Sequence, residues 1–186
     1  MSLKEFGRYV AIAGFRNAQV EDVDDLFNLV RKKVADVDVQ FFDANLIAGW
    51  EHLYFATLNA LKAFESKLNI SNSLAMETLL YASAQRQISK AIDLMGIKPD
   101  SSQIAVLIVA RTLEETESAL EIVSKLVSGE RDDNILELTD DKIERIRKLF
   151  DISDLELESK LKRNGLKREA LVDLVIEHGA LLVTQR

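Results

Sequence analysis

The chain has 186 residues, of which 47% are apolar, with one proline and no cysteine, a length suited to one well-buried core and short for two. Without cysteine, disulfides, thiolate metal sites and a cysteine nucleophile are excluded. A net charge of −7 argues against broad, sequence-independent binding of nucleic acid, which needs clustered cations. No run approaches the roughly 18 apolar residues of a membrane span. Lys4, Glu5 and Arg8 interrupt any signal-peptide pattern, so cytoplasmic residence is the simplest expectation.

Arg8 to Phe15 alternates Tyr9, Val10, Ala11 and Ile12 and reads as a strand ending at Gly14. A helix follows, with Val23, Leu26, Phe27, Val30 and Val34 as its apolar stripe. Glu21, Asp22, Asp24 and Asp25 crowd its positive N-terminus, and Arg31, Lys32 and Lys33 its negative end. Val37 to Phe42 is a second strand. A second helix runs from about Ile47 to Leu68, with Trp50, Leu53, Tyr54, Thr57, Leu61, Phe64 and Leu68 on one face.

Asn72 to Gly96 reads as one long helix over residues 73–95. Ser71, Asn72 and Ser73 offer capping oxygens, and Gly96 supplies the stop. Met76, Leu79, Leu80, Ala84, Ile88, Ala91, Ile92 and Met95 recur at helical steps and are expected on the sheet. Tyr81, Gln85, Arg86, Ser89 and Lys90 lie away from that stripe. Amides, a hydroxyl and two cations there suggest a face that contacts something rather than a merely solvated back.

Gln103 to Ala110 is a third strand, and its uninterrupted apolar run from Ile104 implies burial on both faces. Thr112 with Glu115 and Ser153 with Glu156 are capping boxes that open helices. Between them lie a short strand at Ile135–Leu138 and a helix after Thr139 with Ile143, Ile146, Leu149 and Phe150 buried. Leu166 to Glu177 is a final helix, and Ala180 to Thr184 a closing strand. The order predicts a single α/β domain over residues 1–186: a mixed sheet of about five strands with helices packed against it, and residues 151–186 as a helical appendage that returns a strand.

The pattern N-S-x-x-x-E, then A-S-x-Q-R-Q-I-x-x-A-I and a closing glycine, is carried here by Asn72, Ser73, Glu77, Ala82, Ser83, Gln85, Arg86, Gln87, Ile88, Ala91, Ile92 and Gly96. It resembles the kinase-binding subunit of the KEOPS complex, the TPRKB-like family. Gly14-Phe15-Arg16-Asn17-Ala18 and Asp43-Ala44, with His52, Leu53 and Ala60, agree with it. The resemblance implies an α/β fold and a non-catalytic subunit without cofactor. It would bind the small atypical kinase of a complex that installs threonylcarbamoyl-adenosine in tRNA, and would help recruit tRNA through its single-stranded 3′ CCA end.

The residues themselves offer little for catalysis. His52 and His178, the only two histidines, fall on different helices without metal-like spacing, and no glycine-rich phosphate loop occurs. Glu77 reads as a buried or half-buried acid tied to backbone donors or to an arginine, in preference to a ligand contact. Arg86 and Lys90 form an i, i+4 like-charge pair that an anion would relieve, and two snorkelling cations near Asp93 are an equal reading. With Asn72 and Ser73 they are the candidate tRNA contacts. Residues 43–98 hold five acids (Asp43, Glu51, Glu65, Glu77, Asp93) and five bases (Lys62, Lys67, Arg86, Lys90, Lys98), so a local RNA contact suits this stretch best. Lys160, Lys162, Arg163, Lys167 and Arg168 form the densest basic cluster, read first as a helix C-terminal feature. Leu171, Leu174 and Val175 on the last helix are the candidate kinase interface. The alternative function is a small-molecule-binding or regulatory module with a pocket around Glu77, Tyr81 and Arg86.

Overall fold

The apolar run from Ile104 to Ala110 becomes the strand around which the fold is organised. The computed structural model describes residues 1–164 and 166–184, the side chains of residues 162–164 excepted. In it β4 (Gln103–Ala110) lies between β2 (Arg8–Arg16) and β3 (Asp38–Asp43). Two-residue strands β1 (Ser2–Leu3) and β5 (Glu130–Arg131) pair with opposite ends of β2. The single α/β domain with a five-stranded sheet is therefore present, but every pairing is antiparallel. The expected mixed sheet fails for one reason. β2 and β3, joined by a crossover helix, run parallel but are not neighbours, because β4 inserts between them antiparallel to both.

Alternate residues of β4 point to opposite faces, and both faces are covered. Ala105, Leu107 and Val109 join Val10 and Phe42 in the larger core. Over it lie α2 (Trp50–Glu65), α3 (Leu74–Ser83), α6 (Asp140–Leu149), α7 (Asp154–Asn164) and α8 (Lys167–Ala180). Ile104, Val106 and Ile108 join Ala13, Phe15 and Phe41 in the smaller core, under α1 (Val23–Lys33) and α5 (Leu113–Leu126). The caps stand where the sequence put them: Asp22 caps α1, Thr112 and Glu115 form a reciprocal box, and so do Ser153 and Glu156.

Two expected strands are not strands. Asp133–Leu136 and Leu181–Thr184 are single 3-10 turns. The first is pressed onto β2, where Gly14 leaves no room for a Cβ: one there would lie 2.5 Å from the Asp132 carbonyl oxygen. The last helix is also no appendage. Ala170, Leu171, Leu174 and Val175 are buried in the larger core, and α8 approaches α3 so closely that a Cβ on Gly179 would lie 2.7 Å from the Tyr81 carbonyl oxygen.

The largest departure is the long central helix, which is broken into α3 and α4 (Ile88–Met95). No Gly or Pro marks the break. Ala84 takes the left-handed conformation, φ 50° and ψ 35°, and the Gln85 N–H donates to the Leu80 carbonyl at 3.0 Å, closing a Schellman-type end. One carbonyl that a continuing helix would have used is taken from outside, and a side chain bonds back into the last turn. Ala82 O accepts from the His52 ring at 2.8 Å, and the Ser83 hydroxyl bonds back to Leu79 O at 2.8 Å. Beyond the break the helix turns Ala91 and Met95 inward and leaves Ile88 and Ile92 41% and 42% exposed, reversing their expected burial.

This geometry predicts a substitution effect whose sign depends on the break. Ala84→Gly relieves a left-handed alanine and should raise stability by about 1 kcal/mol. In an unbroken helix the same change would lower it by about 1 kcal/mol. Urea unfolding of the two proteins distinguishes these outcomes.

Candidate functional site

The family-like signature concentrates at the two ends of α3. At its start, Ser73 caps the helix by accepting from Met76 N–H at 3.3 Å, with Asn72 and Ser73 exposed. One turn in, Glu77 is fully buried. Its carboxylate accepts from Ile70 N–H at 3.0 Å and from Ser71 N–H at 2.7 Å, stitching the preceding loop to the helix. Glu77 is thus spent on backbone donors. At the far end, Arg86 in the bend donates to the Leu182 carbonyl at 3.2 Å. It lines a hollow of about 300 Å³ with Leu68, Ile70, Tyr81 and Val183. Burial raises the Tyr81 pKa, with Glu77 adding and Arg86 opposing. The expected pocket therefore forms around Tyr81 and Arg86, while Glu77 does not line it. Lys90 stands exposed on α4.

A second surface arises at the outer edge of β2. Val10 and Gly14 turn their main-chain groups away from β4, and both are satisfied. Val10 exchanges bonds with Met1 at 2.9 and 2.8 Å; Gly14 N–H donates to Asp133 Oδ1 and its carbonyl accepts from Asp132 N–H, each at 2.9 Å. Ile12, between them, faces the same way by the alternation of an antiparallel ladder. It forms the floor of a groove of about 740 Å³ walled by α2 and α8. Trp50 and Phe55 of α2 are 46% and 39% exposed there, opposite the half-buried Val172 and Ile176 of α8.

Leu171, Leu174 and Val175 are core residues, so the candidate kinase contacts chosen from the sequence hold α8 in place rather than face outward. A helix apolar on two sides has two stripes, and Leu171, Leu174 and Val175 belong to the one that packs inward. The signal for the other was present in Val172 and Ile176 at i, i+4 and in a tryptophan at a helix start.

Two cations of the basic cluster form ion pairs, and Lys167 is exposed. Lys160 pairs with Glu177, and Arg168 with Asp140 at 2.9 Å. The side chains of Lys162 and Arg163 lie outside the described residues. His52 is buried. Its Nδ1 accepts from Ala48 N–H at 3.3 Å and Nε2 donates to Ala82 O, and burial lowers its pKa to about 4. Phe150 packs edge-on between it and His178. Burial also lowers Lys142, to about 8, as its ammonium caps the Ile135 and Ile47 carbonyls. Among the described residues no three His, Asp or Glu side chains gather as a metal site, and no helix is long and apolar enough to cross a membrane.

A family model described as "Kinase binding protein CGI-121" matches residues 17–182 of this chain. The chain belongs to the CGI-121 family. It is also 31% identical over 163 residues to the "Regulatory protein Cgi121" of Methanocaldococcus jannaschii, a match covering 88% of this chain and 97% of that protein. The CGI-121 match takes in α8 and the first two residues, Leu181 and Leu182, of the 3-10 turn after it. Both walls of the β2-edge groove fall within residues 17–182, as do the residues that line the Tyr81–Arg86 hollow apart from Val183.

Proposed function

We propose that this chain is the non-catalytic, kinase-binding subunit of a KEOPS-type complex that modifies tRNA in the cytoplasm, and that it meets the small atypical kinase through the groove between α2 and α8. The observation that carries the reading is the pair of exposed aromatic side chains, Trp50 and Phe55, facing Val172 and Ile176 across an open sheet edge. Large apolar side chains around a concavity are the usual anchors of a protein interface. The kinase performs the ATP chemistry; this chain supplies position. Val172→Asp should abolish co-purification with the cognate kinase while leaving the far-UV circular dichroism unchanged. Retained co-purification would move the interface elsewhere. Leu174→Asp is a poor test, because it buries a charge in the core.

The tRNA contact belongs to the other end of the molecule's helical layer. Arg86 in the bend, with Tyr81, Ile70 and Val183 around it, gives an unpaired base a cation and an apolar wall. Lys90, four residues on, and Asn72 and Ser73 at the start of α3 would serve the neighbouring phosphates and sugars. Weak tRNA binding is expected, falling when the terminal CCA is trimmed and falling again in an Arg86→Glu, Lys90→Glu variant. With few phosphates touched, the logarithmic salt slope should be of order 2 or 3. Filter binding of full and trimmed tRNA at two salt concentrations decides it; equal affinity for both would remove end recognition.

A further inference from the structure

β3 is the other edge strand of the sheet, and its outward-facing groups follow from the ladder. Gly14 turns away from β4 and pairs in register with Ala105, so Ala105 turns toward β3. Ala105 is opposite Phe42. Phe42, Gln40 and Asp38 therefore bond to β4, while Val39 and Phe41 face outward. The Phe41 carbonyl is already taken, accepting from Gln40 Nε2 at 3.0 Å. Val39 is half-exposed, and among the described residues its main chain makes no hydrogen bond away from β4.

This edge opens into a groove of about 580 Å³. Phe27 and Val30 of α1, with Val34 just after it, wall one side; Met76 and Leu79 of α3 and Ile92 of α4 wall the other. The half-exposed Ile92 thereby acquires a role, since its side chain extends the second wall toward solvent. Edge strands left open are normally covered, charged or twisted away, because their unpaired groups recruit another strand.

We infer that this groove receives an extended peptide segment of a partner protein, which adds a strand to β3 by main-chain bonds to Val39. Side chains of an added strand alternate between the two faces of the sheet. Here both faces are walled by apolar residues, so the segment is an uninterrupted aliphatic run, as β4 itself is, rather than an alternating one. Asp24 and Asp38 line the groove with one cation, Arg31; Arg8 acts on Asp38 as well, and Asp24 stands in the acid-rich first turn of α1, where the negative charge concentrates. That balance favours a segment flanked by lysine or arginine. The site lies at the opposite edge of the sheet from the β2 groove, so it would leave a kinase there undisturbed and make the chain a bridge between two proteins.

The test uses a fluorescein-labelled peptide, Lys-Val-Ile-Val-Leu-Val-Lys, titrated with the full chain and followed by anisotropy. Saturable binding is expected below about 1 mM. Val39→Pro deletes the outward N–H and none of the bonds to β4, and should weaken binding at least about tenfold with unchanged circular dichroism. A series of peptides methylated at one backbone nitrogen each needs no protein variant and decides the matter should the proline variant not fold. Methylation at alternate positions should cost about tenfold or more, with little change between them. No saturable binding, or losses without a period of two, would overturn the proposal. So would a dimer of the unliganded chain in sedimentation that Val39→Pro dissolves, which would identify the occupant as a second copy.

Discussion

Glu77→Ala is expected to cost about 3 kcal/mol or more of stability, the largest effect of any single polar side chain here. The carboxylate is fully buried and accepts two backbone N–H groups, those of Ile70 and Ser71. Hydrogen bonds to a charged acceptor contribute about 1.5–3 kcal/mol each, and alanine leaves both donors unsatisfied beside a cavity. Glu77→Gln keeps an oxygen that can accept one of them and should cost about half as much. Because Ile70 also lines the Arg86 hollow, loosening its loop should weaken tRNA binding before the global transition is reached. Chemical denaturation of the three proteins, with tRNA affinity measured below the transition, checks both parts. A loss under about 1 kcal/mol for Glu77→Ala would show that the loop is held by something else.

The second large effect is a pH dependence due to His52. Its pKa is about 4 in the folded protein and about 6.5 when unfolded, and burial is the cause. Above pH 6.5 both states carry the neutral ring and the group contributes nothing to the pH slope. As pH falls below that, the unfolded chain takes up the proton first, so stability is lost progressively until the folded pKa near 4 and is level below it. The window corresponds to about 3 kcal/mol. A charged ring could not accept from Ala48 N–H, so protonation also releases the contact between the N-terminus of α2 and the end of α3. Urea midpoints at pH 7 and pH 4.5 should converge between wild type and His52→Gln, because the variant has no proton to gain. Parallel curves would assign the acid sensitivity to other groups.

Legibility in the sequence followed how local each determinant is. β4 was readable because seven consecutive apolar residues have few other uses, and the capping boxes because their partners are three residues apart. The break at Ala84 was not. It depends on the His52 ring taking Ala82 O from 30 residues away and on α8 pressing Gly179 against Tyr81. The same distant contacts decided that Ile88 and Ile92 face solvent. Helical periodicity gave both stripes of α8 equal standing, and only packing against α2 and α3 separated Leu171, Leu174 and Val175 from Val172 and Ile176. Glu77 was legible as a tethered acid, since an acid amid apolar helix positions has few other ways to be buried, but only the fold chose the backbone of Ile70 and Ser71 over an arginine as its partner.

The most direct test of the proposed role is a calorimetric titration of the cognate atypical kinase with the wild-type chain, Trp50→Ala and Arg86→Ala. Truncating an anchor at the centre of an interface costs about 2 kcal/mol, which is about thirtyfold in affinity. Trp50→Ala should show that loss together with a less negative heat-capacity change, since less apolar surface is buried. Arg86→Ala, on the surface proposed for tRNA, should bind as tightly as wild type. An unchanged affinity for Trp50→Ala alongside a large loss for Arg86→Ala would contradict the account and exchange the two surfaces.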